Sequence, residues 1–200
     1  HDVERGVGAD KRIGASFLRA GVGFGGSCFP KDVRALTELG REQELPLQLA
    51  EATLKVNELQ PQRFLALVQA HLPDGISGKT IAVWGLTFKP DTDDMRNAPS
   101  IPIIRGLVRA GARVQAYDPQ GMEEAKQALD DVEIAYVDDA YRALDGANAL
   151  VLITEWGEFR EPDFARIAAA LADKVVFDGR NLWKRQDVEA AGLTYFGVGT

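Results

Sequence analysis

The 200-residue chain suits one large domain or two small ones, and its 46% hydrophobic and 26% charged residues are ordinary for a globular protein. A net charge of −7 with both signs dispersed argues against nucleic acid or an anionic membrane surface as the main partner. One cysteine excludes an internal disulfide and, with only two histidines, speaks against a structural zinc site.

No run approaches the length of a membrane span and no signal peptide opens the chain, so a cytoplasmic setting is expected. The opening His1-Asp2-Val3-Glu4, without an initiator Met, reads as a start partway along a longer protein. His1 to Gly8 reads as the tail of a helix ending at glycine, and Asp10 to Ala20 as a connection.

Gly21 to Asp32 follows, Gly-Val-Gly-Phe-Gly-Gly-Ser-Cys-Phe-Pro-Lys-Asp, with the only cysteine, Cys28. Pro30 suits the first turn of a helix over Phe29 to Gln43, on which Val33, Leu36 and Leu39 mark one apolar face. Cys28 is then at or near a helix N-terminus, where unpaired N–H groups and partial positive charge favour a thiolate. Lys31 adds a full charge. Asp32, one turn on, could hold or activate a water, and it opposes thiolate formation. A small buried hydrophobe is the competing reading of a lone cysteine. The stretch also fits G-x-G-x-x-G, but no strand precedes it, which weakens a dinucleotide reading.

Pro46 begins a helical stretch through His71. Leu47, Ala50, Leu54, Asn57, Pro61, Phe64 and Val68 form one stripe at steps of three and four. Leu45, Leu49, Ala52, Val56 and Leu59 form a second. Two apolar faces need two surfaces: this domain and a partner chain, or one domain alone. Asn57 in the seam could fix register, and Pro61 is expected to kink or divide the helix.

Leu72 to Lys79 is a turn-rich boundary. Strands are expected at Thr80 to Leu86, Arg113 to Tyr117, Glu133 to Val137, Asn148 to Thr154, Lys174 to Phe177 and Thr194 to Val198. Helices between them are expected at Ser100 to Ala110, Gly121 to Leu129, Ala140 to Leu144, Pro162 to Leu171 and Gln186 to Ala191. The alternation argues an α/β fold, a parallel sheet with helices on both faces. The division is residues 1–75, a partial helical domain carrying the cysteine segment, and residues 78–200, the sheet domain.

Ligands bind beyond the carboxyl ends of such strands. Those ends carry Phe88-Lys89, Asp118-Pro119, Thr154-Glu155-Trp156 and Asp178-Gly179-Arg180. Cations, aromatics and glycine together suit a phosphate-bearing ligand with a flat base. No glycine fingerprint follows Trp84, so a complete NAD site is not read here. Asp91, Asp93 and Asp94 read as a solvated loop rich in N-cap residues. Asp118 has the place of a ribose-binding acid, and an Asp-Pro turn explains it equally well.

Arg12-Ile13-Gly14 and the run Phe17 to Asp32 resemble the active-site segment of the UDP-glucose/GDP-mannose dehydrogenases. Gly85 to Arg96, Thr154-Glu155-Trp156 and Phe177-Asp178-Gly179-Arg180 resemble that family's motifs too. The likeness implies a Rossmann-like sheet domain that binds the UDP-sugar, preceded by part of a helical domain that builds a homodimer. It also implies that the family's NAD-binding domain lies outside this sequence.

By resemblance the chemistry is NAD-dependent oxidation of UDP-glucose to UDP-glucuronate. A cysteine holds the intermediate first as a thiohemiacetal and then as a thioester, which water releases as the acid. The resemblance makes Cys28 the nucleophile and Asp32 the residue that positions or activates water. It gives substrate contacts to Phe17, to the run Arg19, Ala20, Gly21, Val22, Gly23, Phe24 and Gly25, and to Phe88, Lys89 and Arg180. Arg12 serves the neighbouring subunit's site. Lys31 and Arg96 face the NAD cofactor. The alternatives are a sister enzyme acting on GDP-mannose or a UDP-N-acetylhexosamine, a non-catalytic nucleotide-sugar-binding and dimerisation module, and a purely structural α/β domain.

Overall fold

The computed structural model describes residues 2–15 and 18–199. Three helices come first: α1 (Asp2–Gly8), α2 (Phe29–Glu42) and α3 (Gln48–His71). The remainder is a parallel sheet with its helices: β1 (Thr80–Trp84), α4 (Ser100–Arg109), β2 (Arg113–Tyr117), α5 (Met122–Ala128), β3 (Ile134–Tyr136), β4 (Ala149–Leu152), α6 (Phe164–Ala170), β5 (Val175–Asp178), α7 (Arg185–Ala190) and β6 (Thr194–Gly197). Strand boundaries fall within a few residues of those expected from the alternation of apolar runs and turn residues.

Strand order is β3-β2-β1-β4-β5-β6, every pair parallel. This is the doubly wound order of the Rossmann fold, and the chain reverses direction across the sheet between β1 and β4. The central strands β1, β4 and β5 are buried along their whole length, as continuous apolar runs covered on both faces must be. Alternate residues feed two cores. Ile81, Val83, Val151 and Phe177 face α3, α4 and α5 with Phe64, Val68, Ile103 and Leu107. Ala82, Trp84, Leu150 and Val176 face the other layer with Phe159, Ile167, Trp183 and Val188. Trp84 stacks on Phe159 with ring centroids 5.0 Å apart, and its indole N–H donates to the Ala140 carbonyl at 2.7 Å. The large ring is thus buried without an orphaned donor.

The helical region differs from expectation in two places. First, α3 runs undivided through Pro61. Proline removes only one helical hydrogen bond, the one to the Asn57 carbonyl. Phe64 and Val68 on one side and the clamp at Asn57 described below hold both halves of the helix to the same body. Second, α2 turns Leu36 and Leu39 outward, half exposed, and buries Pro30, Thr37 and Gly40. A Cβ on Gly40 would meet the Leu45 carbonyl at 2.8 Å and Leu47 Cγ at 2.9 Å, so close packing chose the small residues.

Candidate functional site

The glycine run is the joint between the helices and the sheet. Asn57 clamps Phe24 twice: the Phe24 N–H donates to Asn57 Oδ1 at 2.7 Å, and Asn57 Nδ2 donates to the Phe24 carbonyl at 3.0 Å. Both polar atoms of the side chain are thus engaged within its own chain. Gln60 Nε2 donates to the Gly21 carbonyl at 3.2 Å. On the sheet side, the Gly26 N–H donates to the Arg96 carbonyl at 2.7 Å, and Asn97 Nδ2 donates to the Gly26 carbonyl at 3.3 Å. Val22 is buried in the sheet domain's core. Two glycines are required by close approach. A Cβ on Gly21 would strike the Arg180 guanidinium, and one on Gly25 would strike the Asn97 carbonyl.

Beside this joint lies a cavity of about 1430 Å³. Arg19, Gly21, Gly23, Phe24 and Gly25 line it from the run; Phe88, Lys89, Glu155 and Arg180 line it from the strand ends. Leu49, Ala52, Thr53 and Val56 of α3 form its outer wall, with Asn57 and Gln60. The cavity therefore sits at the carboxyl ends of β1, β4 and β5, across the reversal in strand order, where open α/β sheets bind ligands. It combines apolar surface with a few convergent polar groups.

Hydrogen bonds at the strand ends fix the polar groups. Asp118, buried, accepts from the Leu86 N–H at 2.6 Å, the Thr87 N–H at 3.1 Å and the Trp156 indole at 3.0 Å through one oxygen. Its other oxygen accepts from the Gln120 and Gly121 N–H groups at 3.0 and 2.8 Å. One carboxylate thus ties the loops after β1, β2 and β4 together, and its acceptor positions are filled from within. Thr154 Oγ1 donates to the Thr87 carbonyl at 2.5 Å, and Ser100 Oγ donates to the Leu86 carbonyl. These bonds set the loop that carries Phe88 and Lys89, whose ammonium lies 5.4 Å from the Phe88 ring centroid.

Arg180 is held by Asp178, whose Oδ1 accepts the Arg180 N–H at 2.9 Å. Trp183 N–H at 2.9 Å and Tyr195 OH at 3.2 Å donate to the other oxygen of Asp178. Burial raises the Asp178 pKa above the ordinary carboxylate value, against the lowering effect of these donors. The guanidinium of Arg180 donates to Glu155 Oε1 at 2.5 Å, with side-chain exposures of 19% and 15%. Its Nε is buried and has no acceptor among the described residues.

Cys28 is the residue preceding the first turn of α2 and is exposed, with Ser27 Oγ 3.6 Å from its sulfur. It lies next to Phe29, which lines the cavity and whose ring is 4.7 Å from that of Phe24. Asp32 gives its N–H to the Cys28 carbonyl at 2.8 Å, and its carboxylate lies 3.4 Å from Lys31 Nζ. Arg96 is gripped by Asp94 through Nε at 2.9 Å and NH2 at 2.8 Å. That bond, with the charge of Asp94, raises the Arg96 pKa, and the same bond, with the charges of Arg96 and Lys89, holds the Asp94 carboxyl below its ordinary value. Asp94 is therefore an ion-pair partner rather than a solvated loop acid.

Ala20 is not in the cavity lining. Arg12 lies outside it too, exposed, its guanidinium on Asp10 at 2.6 Å. Phe17 lies outside the described residues. Asn57, Gln60 and Glu155 were not among the expected site residues. Glu155 adjoined an expected strand end, whereas nothing in the sequence marks which polar residue of α3 meets the glycine run. Among the described residues no group of three or more His, Cys, Asp or Glu could hold a metal, and no helix is long and apolar enough to cross a membrane.

The domain does not offer a dinucleotide the usual Rossmann cradle. The acid after β2, which would accept a ribose hydroxyl, is consumed by backbone and indole donors. After β1 the chain runs through Phe88, Lys89 and the Asp94–Arg96 pair before α4 begins at Ser100, whose hydroxyl is bonded to Leu86.

Two family profiles match: the UDP binding domain of the UDP-glucose/GDP-mannose dehydrogenase family over residues 82–185, and that family's central domain over residues 1–59. A UDP-glucose 6-dehydrogenase of Rhizobium meliloti is 44% identical over 99% of this chain, and one of Pseudomonas aeruginosa is 41% identical over 99%. This chain covers 45% of each, so it spans a little under half the length of these relatives. The structure of a UDP-glucose dehydrogenase from Pyrobaculum islandicum superposes with a TM-score of 0.84 at 38% identity, covering 98% of this chain and 42% of that one.

Proposed function

This chain belongs to the UDP-glucose/GDP-mannose dehydrogenase family, and from that premise we propose that it forms the UDP-sugar half of an NAD-dependent nucleotide-sugar dehydrogenase acting on UDP-glucose. The observation that carries this reading is the cavity where the glycine run meets Phe88, Lys89 and Arg180, with the Cys28 helix start beside it. Lys89 and Arg180 supply charge for a diphosphate. The backbone of Gly21 to Gly25 allows close approach, and the Phe24 and Phe88 rings offer faces to a flat base.

In this reading Cys28 carries C6 of the sugar covalently. The helix N-terminus favours negative charge on the sulfur, and Asp32, on the first turn of α2, orders water for release of the product acid. NAD, which supplies the oxidising power, is held mainly outside these residues, because Asp118 and the loop after β1 are already committed within the sheet domain. Lys31 and Arg96 are its points of contact here, and Arg96 is kept in place by Asp94.

The second apolar stripe, Leu45 just before α3 with Leu49 and Val56 on it, is the proposed homodimer surface, these three being 68%, 86% and 53% exposed. Leu49 and Val56 also line the cavity, so a partner seated there closes its outer wall. Glutamate at Val56 should then lower the mass found by light scattering, and an unchanged dimer puts the interface elsewhere.

Calorimetric titration of the 200-residue chain with UDP tests the nucleotide site. Binding at millimolar concentration or tighter is expected, weakened about tenfold in Lys89→Ala, as loss of a charge-assisted contact implies. No heat in parent and variant alike would remove the site. UDP-glucose should also slow alkylation of Cys28 by iodoacetamide more than UDP does, since only the sugar reaches the sulfur.

A further inference from the structure

We propose that Glu155 is a selectivity residue: its carboxylate, set on Arg180 inside the cavity, disfavours ligands that carry more negative charge than a sugar-capped diphosphate. The inference rests on the reading of the cavity as a nucleotide-sugar site. Three cations line that cavity, Arg19, Lys89 and Arg180, and Glu155 is the one acid in its lining among the described residues. Glu4 lies 4.0 Å from Arg19, outside the lining.

Glu155 touches Arg180 directly, at 2.5 Å, and both side chains are mostly withdrawn from water. The guanidinium packs on the Gly21 backbone on one side, and its Nε is buried without an acceptor among the described residues. Glu155 therefore supplies the compensating charge for a poorly solvated cation. That has two consequences. The resting cavity is less positive than its three cations imply, and any incoming phosphate is attracted by Arg180 while repelled by Glu155.

Repulsion scales with ligand charge. UDP ends in a free phosphate whose second ionisation lies near neutrality, so above it UDP carries roughly one more negative charge than UDP-glucose. The sugar cap removes that charge. Glu155 thus favours the capped substrate over the bare nucleotide, although the two share their base, ribose and both phosphorus atoms.

The test is calorimetric titration of the 200-residue chain with UDP and UDP-glucose at about pH 8, where the terminal phosphate is ionised. Glu155→Gln is expected to shift the ratio of the two affinities toward UDP by about threefold or more at low salt. The shift should shrink as salt is added. Glu155→Asp, which keeps the charge, should keep the parent ratio. If Glu155→Gln leaves the ratio unchanged, or weakens both ligands equally, the carboxylate merely orients Arg180 and the proposal is overturned.

Should Glu155→Gln fail to fold because Arg180 is left unpaired, Arg180→Gln is compared with the double variant lacking both charges. UDP binding must be tighter in the double variant; equal binding overturns the proposal. A parent that binds neither ligand overturns the cavity reading and this one with it. A parent that binds both, with a ratio indifferent to Glu155, overturns this one alone.

Discussion

The sheet domain and the helical region solve the problem of apolar surface differently. Between Thr80 and Val198 the large side chains of both layers are buried, with Trp84, Phe159, Phe177, Leu107 and Leu150 at 1% exposure or less. In the helical region Phe29, Leu36, Leu39, Leu45, Leu49 and Val56 are each about half exposed or more. A doubly wound sheet closes on itself, since each face finds its helices in the same stretch of chain. Two helices and a glycine run cannot cover all their own faces, so they lean on the sheet through Val22, Phe64 and Val68 and present the rest outward. Part of that exposed side, Phe29, Leu49 and Val56, also lines the cavity, so there incompleteness and ligand access coincide.

The largest effect is expected in the sheet. Phe177→Ala removes a ring at 0% exposure that stacks on Phe196. It should cost about 3–5 kcal/mol in urea unfolding, enough to unfold a marginal domain. A loss under about 1 kcal/mol would mean the core is far looser than its burial implies.

The joint comes next. Asn57→Ala removes both bonds to Phe24 and strands its backbone N–H and carbonyl. A loss of about 1–3 kcal/mol is expected. Amide exchange at Phe24 and Gly26 should rise while the exchange of β4 and β5 stays slow. Uniform acceleration across both regions would show that they unfold as one unit.

Two carboxylates of the sheet domain, one buried and one paired with an exposed cation, should respond to pH in opposite senses. Burial raises the folded-state pKa of Asp178 above 3.8, so its contribution is present below that value and is lost as pH rises through the folded pKa. Arg96 lowers that of Asp94, so its contribution is present above 3.8 and is lost as pH falls through the folded pKa. Urea midpoints measured upward from about pH 3 should therefore lose an upward trend in Asp94→Asn and a downward trend in Asp178→Asn. Salt should weaken only the former, because Arg96 is largely exposed. Matching profiles for the two variants would contradict the assignment.

The smallest effect sharpens the contrast. Leu36→Ala, on the outward face of α2, should change stability by no more than about 0.5 kcal/mol, despite removing as large an apolar group as many a core substitution. A core-sized loss would mean that face is covered in solution.

The order of strands and of the longer helices in the sheet domain was legible because apolar runs, prolines and glycines alternate at lengths that suit strand and helix; the helix expected at Ala140 to Leu144 is only a 3-10 turn at Arg142–Leu144. The candidate site was legible in its strand ends, Phe88, Lys89 and Arg180, and in the glycine run, since topology places ligands beyond those ends. Sequence also put Cys28 at a helix start, through Pro30 and the glycines before it. It did not decide which face of α2 turns inward. Periodicity weighs hydrophobicity, whereas close approach at Gly40 demanded small residues.

Nor did sequence reveal what Asn57, Asp118 and Glu155 bind. Each partner lies far along the chain: Phe24 for Asn57, Leu86 and Trp156 for Asp118, Arg180 for Glu155. A side-chain hydrogen bond is short-ranged and directional, so its partner is set by how the segments pack and not by the local pattern. Local periodicity determined the elements. Only the tertiary structure decided that Asp118 is spent inside the sheet domain while Lys89 and Arg180 face the cavity.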